Sequence, residues 1–114
     1  IGDSNVIQLI QNFQKICIGT PAIPPFWSLG FHQSKWGYDS VDYLNEVISN
    51  YKSYGLPLDT IWSDIDYMDE FRDFTVDEDN FPLDQLKKIT DEFHYVPIVD
   101  AGVSLESDAF SIGH

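Results

Sequence analysis

A short apolar segment of the chain ends in two closely spaced carboxylates. Ile61 and Trp62 precede Asp64 and Asp66, which stand two positions apart. An ionised carboxylate accepts charge-assisted hydrogen bonds from hydroxyl groups, so Asp64 can fix the orientation of a polyhydroxylated ligand. The structural alternative is an N-cap or a loop brace, which does not explain a carboxylate that closes an apolar strand. Asp64 is therefore the first candidate for ligand binding.

The neighbouring charged residues favour a structural interpretation. Period-two geometry would put Asp66 on the face of Asp64 if the strand extended that far. We nevertheless predict that Asp66 joins Asp69, Arg72 and Asp73 in a charge-balanced loop network.

Two further reactive residue types are predicted to be structural. His32 is a lone histidine in a buried segment, where a core histidine with satisfied hydrogen bonds is more common than a base or a metal ligand. Cys17 has no partner cysteine, which excludes an internal disulfide or a cysteine-based zinc site. We expect Cys17 to be a buried small apolar side chain, and we predict no metal and no cofactor.

Composition narrows the possible partners. The 114 residues are 43% hydrophobic, which is too apolar for a disordered segment, and their net charge is -13. Phosphate backbones would be repelled, so nucleic acid is excluded as a partner. No apolar run approaches the roughly 20 residues that a membrane-spanning helix needs. We therefore expect no membrane segment.

Periodicity predicts alternating helices and strands. An amphipathic helix is expected from an N-cap at Asp3 to Gly19, followed by a Pro-rich connector that ends near Pro25. A second helix starts near Ser40 and stops at Gly55. A third follows the loop of residues 67–82 and places Leu83, Leu86, Ile89 and Phe93 on one face.

Three short strands separate these helices, at Phe26–His32, Asp59–Asp66 and Tyr95–Asp100. Strands that alternate with helices imply a parallel sheet covered by helices, hence an α/β fold. Periodicity alone does not separate an open sheet from a barrel. Polar groups at the end of each strand favour the barrel.

Three sequence blocks carry a family resemblance. Residues 24–38 read PPFWSLGFHQSKWGY, residues 62–69 read WSDIDYMD with RDFT and NFP after them, and residues 96–102 read VPIVDAG. They resemble the first three barrel strands of glycoside hydrolase family 31, in the family's order and spacing, from about Thr20 to Ser104. Ser34 stands where many members have cysteine, and Ala101 stands where proline is usual.

The resemblance implies that the chain is part of a longer polypeptide, here called the parent protein. Residues 25–114 would be the first three units of an incomplete (β/α)8 TIM barrel. Residues 1–24 would be a connecting helix and linker from an absent β-sandwich domain. The parent would be a retaining α-glucosidase of the secretory pathway, whose nucleophile and acid/base aspartates lie on later strands. This segment would then contain no catalytic residue.

The resemblance also implies which residues bind the substrate, an α-glucoside or malto-oligosaccharide. Asp64 matches the aspartate that holds the non-reducing-end sugar. Ile65 and Ile98 match apolar residues of that subsite, with barrel core as the alternative. Trp36 matches an aromatic residue at the pocket rim, where a flat ring packs on a sugar.

Two other functions remain open from the sequence. Asp64-Ile65-Asp66 also resembles the Asp-x-Asp metal motif of nucleotide-sugar glycosyltransferases, a short motif with little specificity. A non-catalytic carbohydrate-binding subunit is the third interpretation. In the hydrolase interpretation, the remainder of its own catalytic barrel would be a partner of this segment.

Overall fold

The computed structural model describes residues 5–113. Within that range three short strands alternate with helices, and none of the helices is long and apolar enough to cross a membrane. The elements are α1 (Val6–Phe13), β1 (His32–Gln33), α2 (Val41–Ser53), β2 (Thr60–Ser63), α3 (Leu83–Thr90), β3 (His94–Pro97) and α4 (Asp108–Gly113).

The strands form one parallel sheet in the order β1-β2-β3. Thr60 of β2 is in register with His32 on one side and with His94 on the other. A helix lies between each pair of consecutive strands in the chain, as crossovers between parallel strands require. The predicted α/β arrangement with a parallel sheet is therefore confirmed.

Helices α2 and α3 supply one side of the core. The Ser40 hydroxyl caps α2 by accepting a hydrogen bond from the Tyr43 amide at 3.3 Å, and Gly55 follows the helix with a positive φ of 63°. The completely buried residues Leu44 and Phe81 pack with Ile61 of β2. Both helices were predicted from their apolar spacing, and in α2 the predicted face contains the buried residues Val41, Leu44 and Ile48.

The apolar face predicted for α3 is only partly correct. Leu86 and Ile89 are buried, but Leu83 is 55% exposed, and Phe93 lies beyond the last helical residue. Phe93 still packs against the core as a partly buried side chain.

The first strand differs from its prediction. Phe26–Leu29 is a 3-10 turn, and β1 contains only His32 and Gln33. The Pro25 carbonyl accepts hydrogen bonds from the Ser28 amide and hydroxyl at 3.0 and 2.7 Å, which closes the turn. A short apolar run has no period that separates a strand from a helical turn.

Strands β2 and β3 also end earlier than predicted. Asp64 begins a 3-10 turn at Ile65–Tyr67, which stops β2 at Ser63. β3 begins at His94 and ends at Pro97, three residues before Asp100. The polar residues that were predicted as strand ends therefore belong to the loops that follow.

Helix α1 lies away from the core. Asp3 is outside the described residues, and the cap is Asn5, whose side chain accepts a hydrogen bond from the Ile7 amide at 2.9 Å. After Phe13 the helix continues as a π-helical turn that ends at Gly19. No residue of either part is buried, so the prediction that Cys17 is buried is wrong, and its thiol is exposed.

Position 30 has to be glycine because the Asp59 side chain, which precedes β2, lies where a Cβ atom would be. The Asp59 carboxylate accepts a hydrogen bond from the Phe31 amide at 2.9 Å, and a Cβ on Gly30 would overlap that carboxylate. Gly30→Ala in the parent protein should therefore displace Asp59 and cost about 1–3 kcal/mol, measured as a lower midpoint of thermal unfolding.

Gly102→Ala is the matched control, because a Cβ at Gly102 meets no atom within 4 Å. Its midpoint should stay close to that of the unmodified protein. Equal midpoints for the two alanine variants would contradict the proposed overlap.

Candidate functional site

Asp64 lies at the carboxyl end of β2, on the sheet face opposite the helices. Ile61 and Ser63 are buried, and Ile61 belongs to the core shared with α2 and α3. Trp62 projects from the other face, where its indole N–H donates to His32 Nδ1 at 3.0 Å. Asp64 has extended backbone angles (φ -78°, ψ -164°), so strand alternation places its side chain on the face of Trp62.

The Asp64 carboxylate has one local contact. Its Oδ1 accepts a hydrogen bond from the Ile65 amide at 2.8 Å and so caps the 3-10 turn. The structural alternative raised by the sequence is thus present. Among the described residues, Oδ2 has no hydrogen-bond partner, so this partly buried carboxylate can cap the turn and still accept a hydroxyl.

A backbone hydrogen bond to Ser63 places Ile98 close to Asp64, the next residue in the chain. The Ile98 amide donates to the Ser63 carbonyl at 3.0 Å, and the Ile98 carbonyl accepts from the Tyr67 hydroxyl at 2.8 Å. Burial raises the pKa of Tyr67, and the nearby Asp73 carboxylate raises it further. The phenol therefore keeps its proton and remains the donor that joins the loops after β2 and β3.

Trp36 is on the loop between β1 and α2, and its side chain is 69% exposed. The adjacent Gly37 amide donates to Asp66 Oδ2 at 2.9 Å, which ties this loop to the loop that follows Asp64. Ile65 is partly buried and packs against the core cluster. For Ile65, the contact with the core that was the structural alternative is therefore observed. Trp36 and Ile98 belong to loops that meet at the edge of the sheet where Asp64 lies.

The predicted charge network forms only in part. Arg72 pairs with Asp69 and lies 3.5 Å from Glu70, which was not predicted. Asp66 binds the Gly37 amide instead. Asp73 is 4% exposed and accepts a hydrogen bond from the Asp100 amide at 3.0 Å. The prediction of one network is therefore wrong, because the turns after β2 direct these carboxylates to separate partners.

Only one of the two ring nitrogens of His32 has a hydrogen-bond partner among residues 5–113. Its Nδ1 accepts from Trp62, so Nε2 carries the hydrogen in the neutral ring. Nε2 is buried and has no hydrogen-bond partner within residues 5–113. Trp27 stacks on the same face, with ring centroids 6.0 Å from His32 and 4.1 Å from His94.

Other features of the described chain lie away from Asp64. An open groove of about 630 Å³ separates the Arg72-Asp73-Phe74 segment from α4, and none of the four predicted binding residues lines it. Residues 5–113 contain no group of three or more histidine, cysteine, aspartate or glutamate side chains that could hold a metal ion.

A parallel sheet with helices between its strands, and with polar residues gathered at its carboxyl edge, is common to open α/β sheets and α/β barrels. A sequence model described as the glycosyl hydrolases family 31 TIM-barrel domain matches residues 21–113. The chain therefore belongs to glycoside hydrolase family 31, and the predicted resemblance and barrel fold are confirmed.

The similar proteins are named as glucoamylases or glucosidases. Glucoamylase 1 of Schwanniomyces occidentalis is 55% identical over 99 residues, which cover 82% of this chain and 10% of that protein. A probable α-glucosidase of Oryza sativa subsp. japonica is 42% identical over 95 residues, or 79% of this chain and 11% of the relative. The chain thus spans about a tenth of the length of these relatives.

Solved structures agree with the fold. The chain matches the crystal structure of an ER glucosidase II complex, which consists of a catalytic subunit and the binding domain of a regulatory subunit. The TM-score is 0.71 at 32% identity, over 83% of this chain and 11% of that one. A mutant family 31 dextranase of Flavobacterium johnsoniae complexed with isomaltotriose matches with a TM-score of 0.82 at 25% identity. The match covers 100% of this chain and 15% of the dextranase chain.

Proposed function

We propose that this chain is an early part of the catalytic barrel of a retaining α-glucosidase that releases terminal α-linked glucose from oligosaccharides or glycosides. One observation carries the proposal. Asp64 stands at the carboxyl edge of the sheet, where hydrogen bonds join its strand to the loops of Trp36 and Ile98, in a chain of this family. Active sites of α/β barrels lie at that edge.

Each predicted residue receives a chemical role in this proposal. The Oδ2 of Asp64, which has no hydrogen-bond partner among residues 5–113, accepts sugar hydroxyls at the non-reducing end. Ile98 and Ile65 supply apolar surface beside it, and Ile65 does so only with the part of its side chain that the core leaves uncovered. Trp36 offers an exposed ring to the apolar face of a sugar.

The bond-breaking groups are proposed to come from chain beyond this segment. In a retaining mechanism one carboxylate attacks the anomeric carbon, and a second carboxyl about 5 to 5.5 Å away protonates the leaving oxygen. The contribution of this segment is positioning of the substrate, which alone lowers a reaction barrier by several kcal/mol.

The remaining assignments concern the rest of the parent protein. We propose that later strands of the same barrel cover the apolar residues exposed here, and that residues 1–24 connect the barrel to a β-sandwich domain. The exposed apolar side chains of α1, including Ile7 and Ile10, support the second assignment because a helix with such a face normally packs on a partner.

The test is hydrolysis of a chromogenic α-glucoside by the purified parent protein in the presence of a metal chelator. We expect turnover, with an initial product that keeps the α configuration in NMR spectra. Sugar transfer that requires a nucleotide-sugar donor and Mn²⁺ would instead support the glycosyltransferase. Binding of malto-oligosaccharides without turnover would support the non-catalytic subunit.

A further inference from the structure

Two hydrogen bonds of the same kind join the β1 and β2 sides of the sheet, one at each end. At the amino-terminal end, Asp59 Oδ2 accepts from the Phe31 amide at 2.9 Å. At the carboxyl end, Asp66 Oδ2 accepts from the Gly37 amide, also at 2.9 Å. Both bonds are charge-assisted, and only the second lies beside the residues proposed to bind sugar.

The hydrogen bond that Asp66 Oδ2 accepts from the Gly37 amide fixes the backbone of Trp36. A peptide unit is planar and includes the Cα atoms of both residues that it joins, so the amide held by Asp66 belongs to the same rigid unit as the Trp36 Cα. Gly37 has a φ of 97°, a conformation that other residues rarely adopt. The backbone conformation of the turn is therefore fixed at the Trp36 Cα, from which the tryptophan side chain projects.

A second contact holds the loop on the other side of Trp36. The Lys35 ammonium lies 3.2 Å from the Tyr43 hydroxyl and 5.1 Å from the centroid of that ring. It also lies 5.6 Å from the ring centroid of Tyr38, which is buried. The residues on both sides of Trp36 are thus attached to the fold, while the tryptophan ring itself is exposed.

An exposed aromatic side chain on a fixed backbone has the properties of a preorganised binding surface. Because the backbone is already fixed, only the two side-chain torsions of the tryptophan have to be ordered when its ring packs on a sugar, so less conformational entropy is lost. Asp66 also lies two residues after Asp64 in the same turn. The bond to Gly37 therefore sets the position of Trp36 relative to the carboxylate that would hold the sugar.

We propose that Asp66 is a positioning residue, which acts on the substrate through Trp36 and makes no direct contact with it. This inference rests on the proposed function. It predicts that loss of the Asp66 carboxylate weakens substrate binding only when the tryptophan is present.

The test is a double-mutant cycle in the parent protein, with steady-state kinetics on malto-oligosaccharides. Asp66→Ala and Trp36→Ala should each raise KM about three- to tenfold and change kcat less than about twofold. Adding Asp66→Ala to Trp36→Ala should raise KM by less than about twofold, because the two changes act as one unit. Asp66→Asn keeps an oxygen acceptor and should restore most of the affinity.

Asp59→Ala is the matched control, since it removes the equivalent bond at the other end of the sheet. Its KM should equal that of the unmodified protein, even where its thermal midpoint falls. The inference is overturned if Asp66→Ala raises KM equally in both backgrounds, if Trp36→Ala leaves KM unchanged, or if Asp59→Ala reproduces the increase. If the unmodified parent protein does not hydrolyse α-glucosides, the proposed function is overturned, and this inference is overturned with it.

Discussion

Replacement of Asp64 by alanine in the parent protein should lower kcat/KM for a terminal α-glucoside by at least about tenfold, or about 1.4 kcal/mol. The reason is Asp64 Oδ2 at the carboxyl edge of the sheet, which has no hydrogen-bond partner in the described part of the chain and is placed to accept hydroxyl hydrogen bonds. Steady-state kinetics on a chromogenic α-glucoside measures the loss. Because Asp64 also caps a turn, the thermal midpoint of each variant must be measured as well.

Two further variants separate the cap from the binding role of Asp64. Asp64→Asn keeps an oxygen for the Ile65 amide and removes the charge, so the fold should be retained while kcat/KM still falls. Asp77→Ala removes another turn cap, a carboxylate that accepts from the Asn80 amide at 3.2 Å. Asp77→Ala should leave the rate unchanged. An unaltered rate for Asp64→Ala would refute the binding role.

The 114-residue chain by itself should aggregate and show no cooperative unfolding. Its radius of gyration is 20.1 Å, whereas a compact domain of this length has about 13 Å. Large apolar side chains are exposed over much of the surface, among them Ile23 at 95% and Phe26 at 91%. In the described part of the chain, β1 and β3 each have a neighbour on one side only. Such edges and apolar surfaces favour association.

Calorimetry, sedimentation and binding of an apolar dye would test this prediction. We expect strong dye binding, large assemblies and no sharp thermal transition. Replacing Ile7 and Ile10 of α1 by serine should reduce assembly without changing the helical content of the rest. A monomer with a sharp transition would show that the three-stranded unit is stable without further chain.

Much of the fold could be predicted because local chemistry determines it. The Ser40 cap, the apolar spacing of α2 and the positive φ of Gly55 coincide in one helix, and the alternation of helices with strands implies a parallel sheet. β1 could not be predicted, because the apolar residues after Pro25 suit a strand as well as a 3-10 turn. The hydrogen bonds of Ser28 that decide between them depend on its backbone conformation.

For the candidate site, the sequence could indicate which residues lie near one edge of the sheet but not the contacts that they make. The topology of a parallel sheet brings Asp64 and Ile98 to one edge, which the sequence pattern is sufficient to indicate. The partner of Asp66 could not be predicted, because Gly37 is 29 residues away and donates a backbone amide that carries no sequence signal. The burial of Asp73 was missed for the same reason, since its partner is also a backbone amide, that of Asp100.

The central place of β2 has a consequence for biosynthesis. The whole ladder lies between His32 and Pro97, so all its pairings are available once that stretch has left the ribosome. Translation proceeds at about 5–20 residues per second, which is slow compared with the formation of local structure. The sheet can then assemble on the nascent chain, and in the proposed barrel the edge of β3 that is unpaired within residues 5–113 would be the template for a fourth strand.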